Sequence, residues 1–224
     1  SIWVGTTPAG APVGIDPLEA LRLSAAHLKS PKIAGLPPLT GGLVGYMGYD
    51  AVRRLEKLPS QSVKDIPLPE IAFMLTSDLA VLDHADGTIT LIANAINWDG
   101  SDDRVDEAYE DAQNRLDRMQ RELAAPLEGH IAHISSHSEP IFDRNISQEE
   151  FIAKVGLAKE EILAGEAFQI VLSQRFSMEC TADAIDVYRM LRLHNPSPYM
   201  YLFRFEGGVD VVGSSPEALV KVTQ

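Results

Sequence analysis

A single cysteine, Cys180, stands among 224 residues. That excludes an internal disulfide framework and any need for an oxidising compartment. Positive charge is scarce as well: 19 Lys and Arg face 32 Asp and Glu, for a formal charge of −13. A surface of that sign repels nucleic acid and anionic lipid at long range, so the expected partners are small molecules and other proteins. No run reaches the roughly 18 apolar residues of a membrane span, and Ser1 to Gly10 has no basic segment ahead of an apolar stretch. The expected setting is the cytoplasm, with no membrane association. Zinc-protease, serine-hydrolase and phosphate-loop signatures are missing, as is any cysteine pair. What is there is 45% hydrophobic residues, enough for a core and too many for disorder, in a length that suits one large or two small domains.

The first forty residues are rich in proline, interrupted by a helical stretch from Pro17 to Leu28 with Leu18, Leu21, Ala25 and Leu28 at helical spacing. This entry, with an abrupt stop after a strand-like Ala218 to Gln224, reads as a segment cut from something longer. Gly41 to Tyr49 carries four glycines among apolar residues, the composition of a buried strand that another backbone approaches closely. Ile71 to Leu82 and Thr88 to Ala95 flank His84-Ala85-Asp86-Gly87 and predict a hairpin. Asp102 to Leu123 predicts a long amphipathic helix, with Val105, Tyr109, Ala112, Leu116, Met119 and Leu123 on one face and a solvated charged face opposite.

Periodicity is then lost from Ala124 to Asn145. His130, His133 and His137 would share a helix face and could hold zinc, but Pro126, Gly129 and Pro140 make the segment a linker. The chain is therefore divided into residues 1–125, a linker at 126–145, and residues 146–224. Ser147 and Glu150 fit a capping box ahead of a helix to Ala164, with Gly165 as its stop. Phe168 to Met178 alternates as a strand should, with Phe168, Ile170, Leu172, Phe176 and Met178 on one face. The other face, Gln169, Val171, Ser173, Arg175 and Ser177, fits either open solvent or a half-buried polar pocket. A helix from Asp183 to His194 ends at Asn195-Pro196-Ser197-Pro198 and is followed by strands at 199–205 and 209–213. The physics alone reaches an α+β chain without a complete catalytic constellation.

Three blocks carry the reading further: Gly165 to Phe176 (GEAFQIVLSQRF), Asn195 to Met200 (NPSPYM) and Gly213 to Leu219 (GSSPEAL). With Leu39 to Tyr46 and Asp50 to Glu56 upstream, they closely resemble the anthranilate synthase component I family, in order along nearly the whole chain. The resemblance implies the chorismate-utilising enzyme fold, antiparallel strands with packed helices, and places the start of its chorismate-binding domain in residues 146–224. It implies an enzyme of tryptophan biosynthesis, a lyase converting chorismate and ammonia to anthranilate and pyruvate, with Mg²⁺ as cofactor. Ammonia would come from a glutamine amidotransferase subunit, and tryptophan would be the feedback inhibitor. Against that family the chain lacks the N-terminal block that walls the tryptophan pocket. It also lacks the C-terminal blocks with the chorismate contacts, the catalytic histidine and the metal carboxylates. It resembles an internal fragment, inactive alone.

Residue roles follow from the same resemblance. Gln169 matches a strand position that is lysine in relatives that add water. An amide has no basic lone pair to activate water and suits a nucleophile arriving as neutral ammonia. Glu217, after Ser215-Pro216, resembles a carboxylate lining the chorismate pocket, with hydrogen bonding or proton handling as its part. Pro198, Tyr199 and Met200 match the block that contacts the inhibitor, and Asn195 would orient that corner. 4-Amino-4-deoxychorismate synthase component I is the alternative with the same ammonia chemistry, although Phe168 to Ser173 and Asn195 to Met200 favour anthranilate. A non-catalytic binding or regulatory module is the alternative of another class.

Overall fold

The structure is a computed structural model and describes residues 1–59, 65–127, 129 and 141–222. His130, His133 and His137, and most of the expected linker, lie outside these residues. The chain forms two compact units, Ser1–Glu128 and Gly129–Gln224. All strand pairs among the described residues are antiparallel and two-stranded, so the architecture is α+β.

In the first unit, α1 (Pro17–His27) starts with proline in its first turn, and Asp16 caps it by accepting from the Leu18 amide at 2.9 Å. Ala20 and Ser24 are its buried residues. Strand β1 (Gly42–Met47) pairs with β2 (Ile71–Thr76) in the register Gly45 opposite Phe73. A Cβ on Gly45 would lie 2.7 Å from Phe73 Cα, so the close approach expected from the glycine-rich run is real and only glycine fits there. Between these strands a short 3-10 helix, Tyr49–Arg54, buries Ala51. Arg54 then ties three elements together, reaching Asp16 at 2.7 Å and Glu70 at 2.9 Å.

The run Ile71 to Leu82 is not one strand. It breaks at Ser77 into β2 and β3 (Asp78–Asp83), and β3 pairs with β4 (Thr88–Ala93) around Gly87, at φ +73°. The hairpin is thus present, but the first half of its upstream run belongs to β1. Helix α2 (Val105–Ala124) begins three residues later than its acidic sequence predicts. Asp99 accepts from the Ser101 amide at 3.0 Å and Asn97 from the Gly100 amide at 3.0 Å, which keeps this stretch in turns. Of the predicted apolar stripe Ala112 is buried, whereas Val105, Tyr109 and Leu123 are each more than half exposed. Arg115 anchors α2 to the hairpin: it pairs with Asp78, meets Asp111 at 2.7 Å and donates to the Asn94 carbonyl at 2.9 Å. The Asn94 amide in turn donates to the carbonyls of Thr40 (2.7 Å) and Ser77 (2.9 Å).

In the second unit, α3 (Gln148–Ala164) has the full reciprocal capping box of Ser147 and Glu150 and closes on Gly165 at φ +85°. Strand β5 (Asp143–Arg144) pairs with β6 (Phe176–Ser177), where the Arg144 guanidinium lies 5.2 Å and 5.7 Å from the ring centres of Phe142 and Phe176. Helix α4 (Ala184–His194), capped by Asp183, packs on the hairpin of β7 (Tyr199–Phe205) and β8 (Val209–Ser215). The expected strand Phe168–Met178 is a correction: only Phe176 and Ser177 are paired. A strand exists through its ladder, and no described residue runs alongside 168–173. Nor do the described residues 218–222 form the expected last strand.

The core is correspondingly small. Ala20, Ala51 and Ala112 are the buried apolar residues described, and the chain exposes 18317 Å². Phe168 and Leu163 are almost wholly in solvent, and α3 buries no residue despite being apolar on several sides. No helix among the described residues is long and apolar enough to cross a membrane.

Candidate active site

The second unit contains all five residues singled out by sequence. Pro198 leads into β7, and Tyr199 and Met200 are its first two residues. Tyr199 stands opposite Ser215 and Met200 opposite Ser214 in the ladder, so the Asn195–Met200 and Gly213–Leu219 blocks meet at one end of the hairpin. Two observations fix that end. The Ser214 hydroxyl donates to the Asn195 carbonyl at 2.7 Å, tying β8 to the exit of α4. The Ser215 hydroxyl donates to the Glu217 carbonyl at 3.0 Å and accepts from the Glu217 amide at 3.4 Å. Glu217 therefore hangs from the Tyr199–Ser215 rung that ends the hairpin, on the β8 side. Two strand residues further in, Gly213 is opposite Tyr201, and a Cβ there would run into the Tyr201 ring.

Gln169 is elsewhere in sequence and is not paired with this hairpin. It is exposed, on the extended stretch that follows α3. The downstream end of that stretch is anchored: Arg175 donates its amide to the Asn145 side chain at 2.8 Å, and the Gln174 amide group donates to the Ile146 carbonyl at 3.3 Å. Val171 is 81% exposed beside Gln169, which decides between the two readings of that face: no half-buried polar pocket is formed there by the described residues. The structure thus joins Pro198, Tyr199, Met200 and Glu217 on one hairpin and leaves Gln169 apart from them.

The carboxylates held below their usual range belong to other elements than this hairpin. Glu149 is lowered by backbone amide donation and the Ser147 hydroxyl at the start of α3. Asp99 is lowered first by the Ser101 amide, and Asp86 by the Thr88 hydroxyl. For a magnesium ion the fit is poor: among the described residues no three His, Cys, Asp or Glu side chains are grouped to hold a metal. Glu217 is a single carboxylate, and Mg²⁺ needs a near-octahedral oxygen set completed by water or substrate.

Sequence reasoning did not find a cavity of about 540 Å³ in the first unit, between Pro8 and Ala9, the stretch Ala95–Asp99 and the start of α2. Its signal in the sequence is slight, because Trp98, which is stacked on His27 at 5.5 Å and edge-on to Trp3 at 5.7 Å, is an isolated aromatic in an irregular stretch.

The sequence profile of the chorismate binding enzyme family matches residues 7–224. The chain belongs to the chorismate binding enzyme family. Among curated proteins it is similar to anthranilate synthase component 1 of Mycolicibacterium smegmatis, 53% identical over 225 residues, covering 98% of this chain and 43% of that protein. It is 50% identical to anthranilate synthase component 1 of Mycobacterium tuberculosis, over 99% of this chain and 44% of that protein. The solved structure of anthranilate synthase component I from Streptococcus pneumoniae superposes with a TM-score of 0.75 at 32% identity, over 94% of this chain and 46% of the other. The chain thus spans less than half the length of these chorismate binding relatives. The fold expected from the resemblance, helices with antiparallel strands, is the fold observed.

Proposed function

We propose that this chain is a working part of an anthranilate synthase component I, and that the protein containing it converts chorismate and ammonia to anthranilate, pyruvate and water. The observation that carries the reading is the 53% identity to one such protein, sustained over 98% of the chain. The relatives named above carry the anthranilate synthase name, which favours this reading over the aminodeoxychorismate alternative and the non-catalytic module. In this reading Gln169 lies on the side from which ammonia arrives, where an amide orients a neutral nucleophile without drawing a proton from water. Glu217 sits at the ring, hydrogen-bonding or transferring a proton at the leaving hydroxyl, where a carboxylic group can act as acid or base. Pro198, Tyr199 and Met200 form one wall for the indole of tryptophan, the inhibitor: a fixed backbone, an aromatic face and an adaptable thioether.

Magnesium would be held by residues outside this chain, and no step is routed through it here. A glutamine amidotransferase subunit supplies the ammonia, and the protein works in the cytoplasm. The domain division follows: residues 1–125 belong to the N-terminal part of the family fold, 126–145 connect, and 146–224 open the chorismate-binding domain. The experiment replaces the matching 43% of the Mycolicibacterium smegmatis protein with this chain and expresses the chimera in a bacterium that lacks anthranilate synthase component I. Growth without tryptophan is the expected result. A chimera that accumulates as folded protein and does not restore growth overturns the reading.

A further inference from the structure

The Ser215 hydroxyl grips the Glu217 backbone at both ends, donating to its carbonyl and accepting from its amide. Pro216 between them has no amide hydrogen and a fixed φ, so the three residues have few ways to turn. Ser215 is itself the last residue of β8 and is held by its pairing with Tyr199. The Glu217 side chain has no comparable support: it is exposed, and its backbone is the part of it that the hairpin fixes. Beyond the Pro216 ring, the Ser215 hydroxyl is what ties the Glu217 backbone, and with it the direction of its Cα–Cβ bond, to the end of the ladder. We infer that Ser215 is the positioning residue for Glu217, aiming the carboxylate at the reacting ring without touching it. This rests on the role proposed above for Glu217.

Aim matters because a reacting group displaced by about 1 Å can lose roughly a hundredfold in rate. In the chimera, Ser215→Ala should lower kcat at least about tenfold with KM changed less than about twofold, since the hydroxyl acts on orientation and not on substrate binding. Ser215→Thr retains the hydroxyl and suits a strand end, so it should restore most of kcat. The decisive readout is non-additivity: in a Glu217→Gln background, Ser215→Ala should cost nothing further, because the residue acts only through that carboxylate. If Ser215→Ala keeps wild-type kcat, if Thr fails like Ala, or if the loss is undiminished in the Glu217→Gln background, the inference is overturned. An inactive parent chimera would count against the proposed function instead. In that case the inference is read from this chain directly: the Glu217 amide resonance should shift in Ser215→Ala and stay in place in Ser215→Thr. An unmoved resonance in Ser215→Ala overturns it, and the same readout decides the matter where the variants do not fold in the chimera.

Discussion

Removing the Arg115 side chain should destabilise the first unit more than removing any other single ion-pair arginine in it. The Arg115 and Asp78 side chains are 17% and 27% exposed, so water reaches the pair poorly. Exposed pairs contribute about 0–1 kcal/mol, and breaking a buried one costs about 3–5 kcal/mol because the remaining charge is stranded. An intermediate site puts Arg115→Ala at about 2–3 kcal/mol, including the lost donor to the Asn94 carbonyl. The third partner, Asp111, is 67% exposed and adds little. Arg22→Ala is the control, since Arg22 and Glu19 are 65% and 46% exposed and their separation should be worth under about 0.5 kcal/mol. Urea unfolding followed by tryptophan fluorescence reads both, because Trp3 and Trp98 lie in this unit. If stranded charge is the cause, Asp78→Asn in the same molecule should recover part of the loss. Equal midpoints for Arg115→Ala and Arg22→Ala, or no recovery with Asp78→Asn, would refute the reasoning.

Further outcomes follow from single groups. Asp16 feels desolvation, which raises its pKa, but the Glu19 and Leu18 amides and Arg54 outweigh it and leave it below the ordinary carboxylate value; Asp99 and Asp86 are lowered as well. Folded pKa values below the unfolded ones mean that this stability is complete above about pH 4 and lost as pH falls through the folded values, so the urea midpoint should be flat from pH 7 to 5 and drop below 4. In the chimera, Gln169→Lys should divert product toward the water adduct isochorismate and weaken amination, provided that burial lowers the lysine toward neutrality; anthranilate alone at the wild-type rate would remove Gln169 from the nucleophile's side. Met200→Thr or Pro198→Ser should raise the tryptophan concentration for half-inhibition by about tenfold or more with turnover nearly unchanged, from about 1.5–3 kcal/mol of apolar contact, as calorimetry and initial rates would show.

Local features, including the β3–β4 hairpin, were legible and pairing between distant segments was not. The Ser147–Glu150 capping box and the Gly165 stop are set by residues close in sequence, and each formed as the sequence implies. Gly45 was legible because only glycine tolerates a backbone at that distance. The break at Ser77 was hidden, since Ile71 to Leu82 keeps the same character on both sides of it and the choice of partner, β1 or β4, is made by distant residues. Phe168 to Met178 shows the limit most clearly: alternation states which face a strand would bury, but the strand needs a neighbour, and the described residues provide one only at Phe176 and Ser177. For the candidate site, periodicity found β7 and β8, whereas the roles of Gln169 and Glu217 came from resemblance to a family. Their local physics, an exposed amide and a carboxylate in a turn, names no reaction.

The most direct measurement is product identity from purified chimera supplied with chorismate, Mg²⁺ and ¹⁵N-ammonium, followed by fluorescence and mass spectrometry. The account predicts anthranilate carrying one ¹⁵N with an equal amount of pyruvate, and no anthranilate from this chain alone under the same conditions. Aminodeoxychorismate as the sole aminated product, isochorismate without amination, or full turnover by the isolated chain would contradict it.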